Sequence, residues 1–310
     1  MYRPMTLSMT TSRDTVFVGI PCYNRAAGLA DTIRCLQQQT HENWTALICD
    51  NASPDPEVRT VAERACSRDS RLRYHRNTEN IGAANNFLNA ALAANQPFFM
   101  WASDDDLWEP QFIADNLQQL EKFPDAQMSF CTIDSINRSG HVIRTLDGFS
   151  RFNSTGNRRA DVATFLEDPE IMGKASLIYG LFRTESLRSC IDSCWDDAGF
   201  HAHGGDVVFL FAFVCRYPIV AHDECHLHKR QETRKWSKVL RRHPRWYKVT
   251  RRGEFESYVE RHRKVASTTD YGDLAEIILK RRHAERLFYT VPLLNRFVEK
   301  RRKDFLARVA

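Results

Sequence analysis

A chain of 310 residues, 43% hydrophobic and 27% charged, has the composition of a folded globular protein and room for one large domain or two modest ones, which excludes wholesale disorder. Its 9 cysteines are odd in number and scattered, with no Cys-x-x-Cys, which excludes a disulfide frame in favour of reduced, buried thiols. The net charge of +5 is unevenly spread: from Lys229 onward there are 24 Lys and Arg against 10 Asp and Glu, a surplus of +14, while the first 228 residues carry −9.

Val16-Phe17-Val18-Gly19-Ile20 is a continuous apolar run ending at Pro21, the pattern of a central parallel strand. Leu29, Ile33 and Leu36 then recur at helical spacing. Trp44 to Cys49 predicts a second strand, Val58, Val61, Ala62 and Ala65 a second helix, Leu72 to His75 a short strand, and Gly82 to Ala94 an alanine-rich helix. Phe98 to Ala102 follows as the fourth strand, then a helix from about Pro110 to Lys122, and one more strand at Met128 to Ile133. Strand and helix thus alternate four times, the signature of a mostly parallel α/β sheet whose strand ends share one edge. Residues 134–175 are rich in turn formers, including Asn153-Ser154-Thr155, and read as a mobile insertion or loops on the acceptor side. Leu177 to Phe182 is strand-like, and Val207 to Val214 is a strongly apolar helix or strand. Past His228 the composition becomes basic helix, interrupted at Pro244 and around Thr268–Gly272. Met1 to Asp14 has no apolar signal core, and no run approaches the ~20 apolar residues of a bilayer span, so a soluble or peripheral cytoplasmic protein is expected.

The most informative stretch is the fourth strand, which stops at Ser103-Asp104-Asp105-Asp106. A buried strand ending in clustered carboxylates places anions at a sheet rim, where loops gather and ligands bind. Adjacent carboxylates raise each other's pKa and call for a cation. Oxygen donors of this kind suit Mg²⁺ or Mn²⁺ carrying a substrate diphosphate. The competing view is an Asp-rich helix start, with Asp106 capping the segment from Pro110.

The wider pattern favours the first view. Ile20-Pro21-Cys22-Tyr23-Asn24-Arg25 resembles the opening motif of family 2 glycosyltransferases of the GT-A fold, and Cys49-Asp50-Asn51-Ala52-Ser53 resembles that family's D-[DN]-x-S turn. Asn77-x-x-Asn80-x-Gly82-x-x-x-Asn86, the Ser103–Asp106 cluster with Trp108-x-Pro110, Tyr179–Arg183 and Gly204-Gly205-Asp206 are similar to its later motifs, in the same order. The resemblance covers roughly residues 14 to 235. It implies an inverting transfer of a sugar from a nucleoside diphosphate donor, UDP or dTDP, to an acceptor hydroxyl, in polysaccharide or glycolipid assembly. The donor would rest on Pro21, Tyr23, Asn24, Arg25, Asp50, Asn51, Gly82, Asn86 and Asp104, with Asp50 accepting from the base imide N–H. Asp105 and Asp106 would hold Mn²⁺ or Mg²⁺, helped by His228, since related enzymes often recruit a late histidine. A Pro110-aligned frame makes Asp105 the principal ligand and Asp104 a ribose or supporting partner; a D-x-D frame pairs Asp104 with Asp106. Asp206, preceded by two glycines that allow close approach, is the expected general base, with Asp192, Asp196 and Asp197 as rivals.

The expected architecture is therefore a short N-terminal segment (1–13), a GT-A domain over 14–235 with donor (14–133) and acceptor (134–235) halves, and a basic helical C-terminal region over 236–310. Lys229, Arg230 and Arg234 either neutralise the leaving diphosphate or simply begin that basic region. Its charge points to an anionic membrane surface at the inner face, with Trp236 and Trp246 suited to the interface; no motif for nucleic acid accompanies it. His222, Cys225, His226 and His228 crowd together, but strand alternation predicts opposite faces, which argues against a zinc site. Two other classes stay open: a sugar-phosphate nucleotidyltransferase, whose Gly-rich, Arg-containing first loop is missing here, and an inactive nucleotide-sugar-binding module.

Overall fold

Continuous apolar runs too short for helices must pair on both sides, and they build the core of the sheet. The computed structural model describes residues 14–168, 172–202, 204–230 and 246–289, with 246–255 and 281–289 as backbone. Those residues fall into two units that are discontinuous in sequence. The first comprises the described residues up to Phe149, Ile178–Ser189, and those from Val220 to Arg230.

In that unit β1 (Val16–Cys22), β2 (Trp44–Asp50), β3 (Leu72–Arg76) and β4 (Phe98–Trp101) alternate with α1 (Ala26–Gln37), α2 (Pro56–Arg68) and α3 (Ala83–Leu92). The strands are parallel and ordered β3-β2-β1-β4, with Val16 level with both Trp44 and Phe98. Val18, Ile20, Ile48, Phe99, Met100 and Trp101 are fully buried, as strands covered on both faces require. β1 passes through Pro21 to Cys22: a proline removes only a donor, and the Cys22 carbonyl still accepts from Asn51 N at 3.0 Å.

Beyond β4 the sheet turns antiparallel. β5 (Leu107–Trp108), α4 (Phe112–Lys122), β6 (Met128–Ile136), β7 (Val142–Leu146), β8 (Leu181–Arg183) and β9 (Ile219–Arg230) continue the order β4-β8-β6-β9-β5, with β7 on β6. β5, β7 and β9 lie outside the predicted strands. β9 carries three histidines and mixed charges, so it has no apolar run to announce it. The strand-like Leu177–Phe182 is split between a 3₁₀ turn at Lys174–Tyr179 and β8.

The second unit comprises Ser150–Leu177, Cys190–Ile219 and the described residues of 246–289. Here the turn-rich stretch is folded into elements. Asn157 caps α5 (Arg158–Glu167) by accepting from Ala160 N at 3.1 Å. Asp161 then accepts from Ser154 Oγ, Thr155 N and Thr155 Oγ1 at 2.8–3.0 Å, so the polar cluster is a helix-starting device. The part of α6 (Thr184–Ala198) from Cys190 on belongs here and precedes α7 (Gly205–Arg216), in which Val207 to Cys215 are all buried. α8 (Trp246–Ala266) and α9 (Gly272–Tyr289) break where the sequence predicts an interruption. Pro244, Arg234 and Trp236 lie outside the described residues. All 9 cysteines are unpaired, and among the described residues no helix is long and apolar enough to cross a membrane.

Trp101 concentrates the first unit's packing. Its ring meets Phe99 edge-on at 4.8 Å and Phe182 at 5.8 Å, while its N–H donates to the Phe87 carbonyl at 2.9 Å. Trp101→Ala is expected to cost about 3–5 kcal/mol in urea unfolding; a loss under 1 kcal/mol would show that this cluster does not anchor the sheet.

Candidate active site

The C-terminal ends of β1, β2 and β4 open onto a cavity of about 370 Å³ in the first unit. Tyr23 and Arg25 enter it from the loop after β1, Asn51 from the turn after β2, and Asn80 and Asn86 from the approach to α3 and from α3 itself. Ser103 to Asp106 form its acidic wall, and Tyr179, Lys229 and Arg230 complete it.

The acidic wall is built at some electrostatic expense. Asp104 is buried, accepting from Tyr23 N at 3.0 Å and from Arg25 Nη1 at 2.8 Å. Burial nevertheless raises its carboxyl above the usual range, against the pull of those donors. Asp105 is partly exposed, accepts from Ser103 Oγ and lies 3.4 Å from Arg25. Asp106 is 1% exposed; its Oδ1 accepts from Arg230 N at 2.9 Å, while the buried Oδ2 has no hydrogen-bond partner. Burial first, then Asp105 and Asp104, push its carboxyl up to about 6, while Lys229 and the Arg230 N–H oppose the shift. An orphaned buried carboxylate oxygen beside a second carboxylate that faces the cavity is a donor set a hard divalent cation fits. Asp105 and Asp106 would hold it.

α1 fixes this wall from behind. A Cβ on Gly28 would stand 2.1 Å from the Asp104 carbonyl oxygen, and Thr32, one turn on, donates to the Ser103 carbonyl at 2.8 Å. Sequence reasoning missed both residues. The available signal was a glycine inside a helix, where it costs about 1 kcal/mol against alanine and so marks a close approach.

The asparagines act as a lattice. Asn51 Oδ1 accepts from Asn77 and from Ile81 N, Asn51 donates to Asn80, and Asn86 donates to the Cys49 carbonyl at 2.7 Å. Gly82 is the N-cap of α3 at φ +82° with open space around it, so its demand is backbone conformation. Asn24, in the left-handed region at φ 58°, donates its N–H to Ser53 Oγ at 2.9 Å and shapes the loop from outside the cavity lining. Asp50 is also set back: it accepts from Ser53 N at 2.8 Å and Tyr74 OH at 2.7 Å, with Arg76 Nε at 3.3 Å. His228 is not in the lining either; its Nε2 sits 2.5 Å from Glu109.

Asp206 belongs to the second unit, in the first turn of α7, with its Oδ1 accepting from Val207 N at 2.8 Å. The preceding glycines are explained by protein packing. Gly204 takes φ +72°, and a Cβ there would stand 2.8 Å from the Tyr258 ring; at Gly205 a Cβ would meet the Gly199 carbonyl oxygen at 2.4 Å.

A mostly parallel sheet continued by antiparallel strands is the GT-A fold, and S. aureus TarS, solved in complex with UDP, shares that fold. That structure superposes with a TM-score of 0.59 at 15% identity over 87% of this chain and 71% of its own. The chain belongs to glycosyl transferase family 2, whose sequence pattern matches residues 17–188. It is 25% identical over 204 residues to protein CgeD of Bacillus subtilis, covering 63% of this chain and 45% of that one. It is 31% identical over 93 residues to the Escherichia coli protein named UDP-Glc:alpha-D-GlcNAc-diphosphoundecaprenol beta-1,3-glucosyltransferase WfgD, covering 30% of this chain and 36% of that one. The chain therefore spans under half the length of these curated relatives.

Because α1 presses on the backbone of the acidic wall, Gly28→Ala is expected to destabilise the protein by about 1–3 kcal/mol despite the better helix former. Urea unfolding checks it; unchanged or increased stability would contradict the close approach.

Proposed function

We propose that this chain transfers a sugar from a UDP or dTDP donor to an acceptor hydroxyl, with inversion at the anomeric carbon. The observation that carries this is the pairing of signs in one cavity: a buried acidic wall with an unpartnered oxygen, beside Arg25, Lys229 and Arg230. Carboxylates alone would repel a diphosphate and cations alone would not retain a metal; a metal–diphosphate complex matches both. The solved complexes of TarS with UDP and UDP-GlcNAc and the UDP-Glc in WfgD's name support a uridine donor.

The base and ribose would lie along Tyr23, which is 43% exposed, and the Asn51, Asn80 and Asn86 amides. Asp50 then acts by shaping the turn that presents Asn51, and Asp104 by holding Arg25 and the Tyr23 backbone. A divalent cation, Mn²⁺ or Mg²⁺, when bound at Asp105 and Asp106, supplies charge neutralisation at the two phosphates. Arg25, Lys229 and Arg230 offset the negative charge that grows on the departing nucleoside diphosphate. Deprotonation of the acceptor hydroxyl is assigned to Asp206 on its motif and its place in α7. A glycan or glycolipid acceptor, as in WfgD's name, agrees with the basic C-terminal composition, which we take to dock on an anionic membrane surface.

Calorimetry with UDP, dTDP and GDP, each with and without Mn²⁺, is expected to show metal-dependent binding of one nucleotide, weakened at least tenfold in Asp105→Ala. No binding of any of the three would overturn the donor assignment. Asp206→Asn should retain donor binding and lose about 10²–10⁴-fold in turnover; unchanged turnover removes it as base. Flotation with anionic but not zwitterionic vesicles is expected, and equal behaviour on both would remove the membrane step.

A further inference from the structure

Cys225 and His228 are three residues apart on β9, a spacing that regular alternation would split between two faces. The structure nonetheless brings the two side chains together, and Asp134 joins them from the neighbouring strand β6. The ligand atoms of Asp134, Cys225 and His228 all lie within 4.8 Å of one another. Metal–ligand bonds of ~2.0–2.3 Å place tetrahedral donors roughly 3.5 Å apart, so side-chain adjustments of about 1 Å close the set.

We propose that Asp134, Cys225 and His228 form a binding site for a zinc-class divalent ion, separate from the acidic wall of the donor cavity. None of the three lines that cavity. One thiolate, one imidazole and one carboxylate select a borderline metal such as Zn²⁺ over the hard Mg²⁺ or Mn²⁺ of an all-oxygen site. A second observation points the same way, because the surrounding groups orient the ligands. His228 Nε2 lies 2.5 Å from Glu109 Oε1, so its N–H is directed there, and Nδ1 faces Asp134 Oδ2 at 3.9 Å. A carboxylate behind the far nitrogen is how metal-binding histidines have their tautomer and ring angle set. Thr145 Oγ1 donates to Asp134 Oδ1 at 2.6 Å, which fixes that carboxylate beside Cys225 and His228. Three protein donors leave a fourth position for water.

The consequence is positional. Lys229 and Arg230 directly follow His228, and the Arg230 N–H binds Asp106. An ion here ties the end of β9 to β6 and, through Glu109, to the segment just past Asp106. It would hold the two cations at the donor cavity while taking no part in the chemistry there.

The test is Co²⁺ titration of the full chain after chelator treatment, followed by Zn²⁺ competition. One equivalent of Co²⁺ is expected to give tetrahedral d–d bands and a thiolate-to-cobalt charge-transfer band, both displaced by Zn²⁺, whatever further Co²⁺ the all-oxygen acidic wall takes up. Cys225→Ser should abolish the charge-transfer band, and Glu109→Gln should keep it while weakening affinity about 10–100-fold. Asp105→Ala should leave it unchanged. Absence of the band in the unaltered chain, its persistence in folded Cys225→Ser, or its loss in Asp105→Ala would each overturn the proposal. If Cys225→Ser does not fold, His228→Gln and Asp134→Asn are each expected to weaken Co²⁺ binding at this site, and unchanged affinity in both would overturn the proposal.

Discussion

Two carboxylates taken out of water beside a third repel one another, and they stay charged only if donors converge on them. At the end of β4 those donors come from widely separated parts of the chain: the Tyr23 backbone and Arg25 after β1, and the Arg230 backbone 124 residues past Asp106. Satisfying Asp104 and Asp106 therefore holds the first loop and the end of β9 against the same strand end. The compensation is incomplete. Asp106 keeps one buried oxygen without a hydrogen bond, and its carboxyl is pushed up to about 6, an arrangement that a bound cation would relieve.

The helix behind the wall follows from the same need. The Ser103–Asp106 backbone has to be held so that its side chains point into the cavity, and α1 does this by contact. Gly28 lets the helix approach the Asp104 carbonyl, and Thr32 hydrogen-bonds the Ser103 carbonyl. The asparagine lattice does the corresponding work on the other side, where Asn51 and Asn86 bind backbone groups of neighbouring segments. Most of the polar residues around the cavity are thus committed to the protein, and the rigidity they provide keeps Asp105 and Tyr23 facing a ligand.

Charge is distributed to match. The first 228 residues are acidic in sum, and the cations that balance the wall from its far side, Lys229 and Arg230, are the first residues of the basic region. Lys229 stands 4.5 Å from the centre of the Tyr179 ring, which holds its ammonium beside the cavity. In the second unit, the glycines before Asp206 and the polar cluster before α5 are explained by packing and capping, so loop-like composition there encodes helix starts.

The parallel strands, their helices and the acidic strand end were legible in the sequence because each is a local pattern: an unbroken apolar run, a 3.6-residue period, a charge cluster at a boundary. The family motifs added candidate donor residues, of which Pro21, Tyr23, Arg25, Asn51, Asn86 and Asp104 line one cavity. What the sequence left open depends on contacts between distant residues. Gly28 is informative only once α1 lies on Asp104, and Asp50 stands outside the cavity lining, where Tyr74 and Ser53 engage it. β9 has no apolar signature, so its pairing with β5 and β6, and with it the places of Lys229, Arg230 and His228, came from tertiary structure alone. By itself the sequence determined the parallel strands β1 to β4, the helices between them and the carboxylates at their rim, since local periodicity and charge suffice for that. Only the tertiary structure decided which partner each polar group takes, because hydrogen bonds and ion pairs between remote segments exist only once the chain has closed on itself.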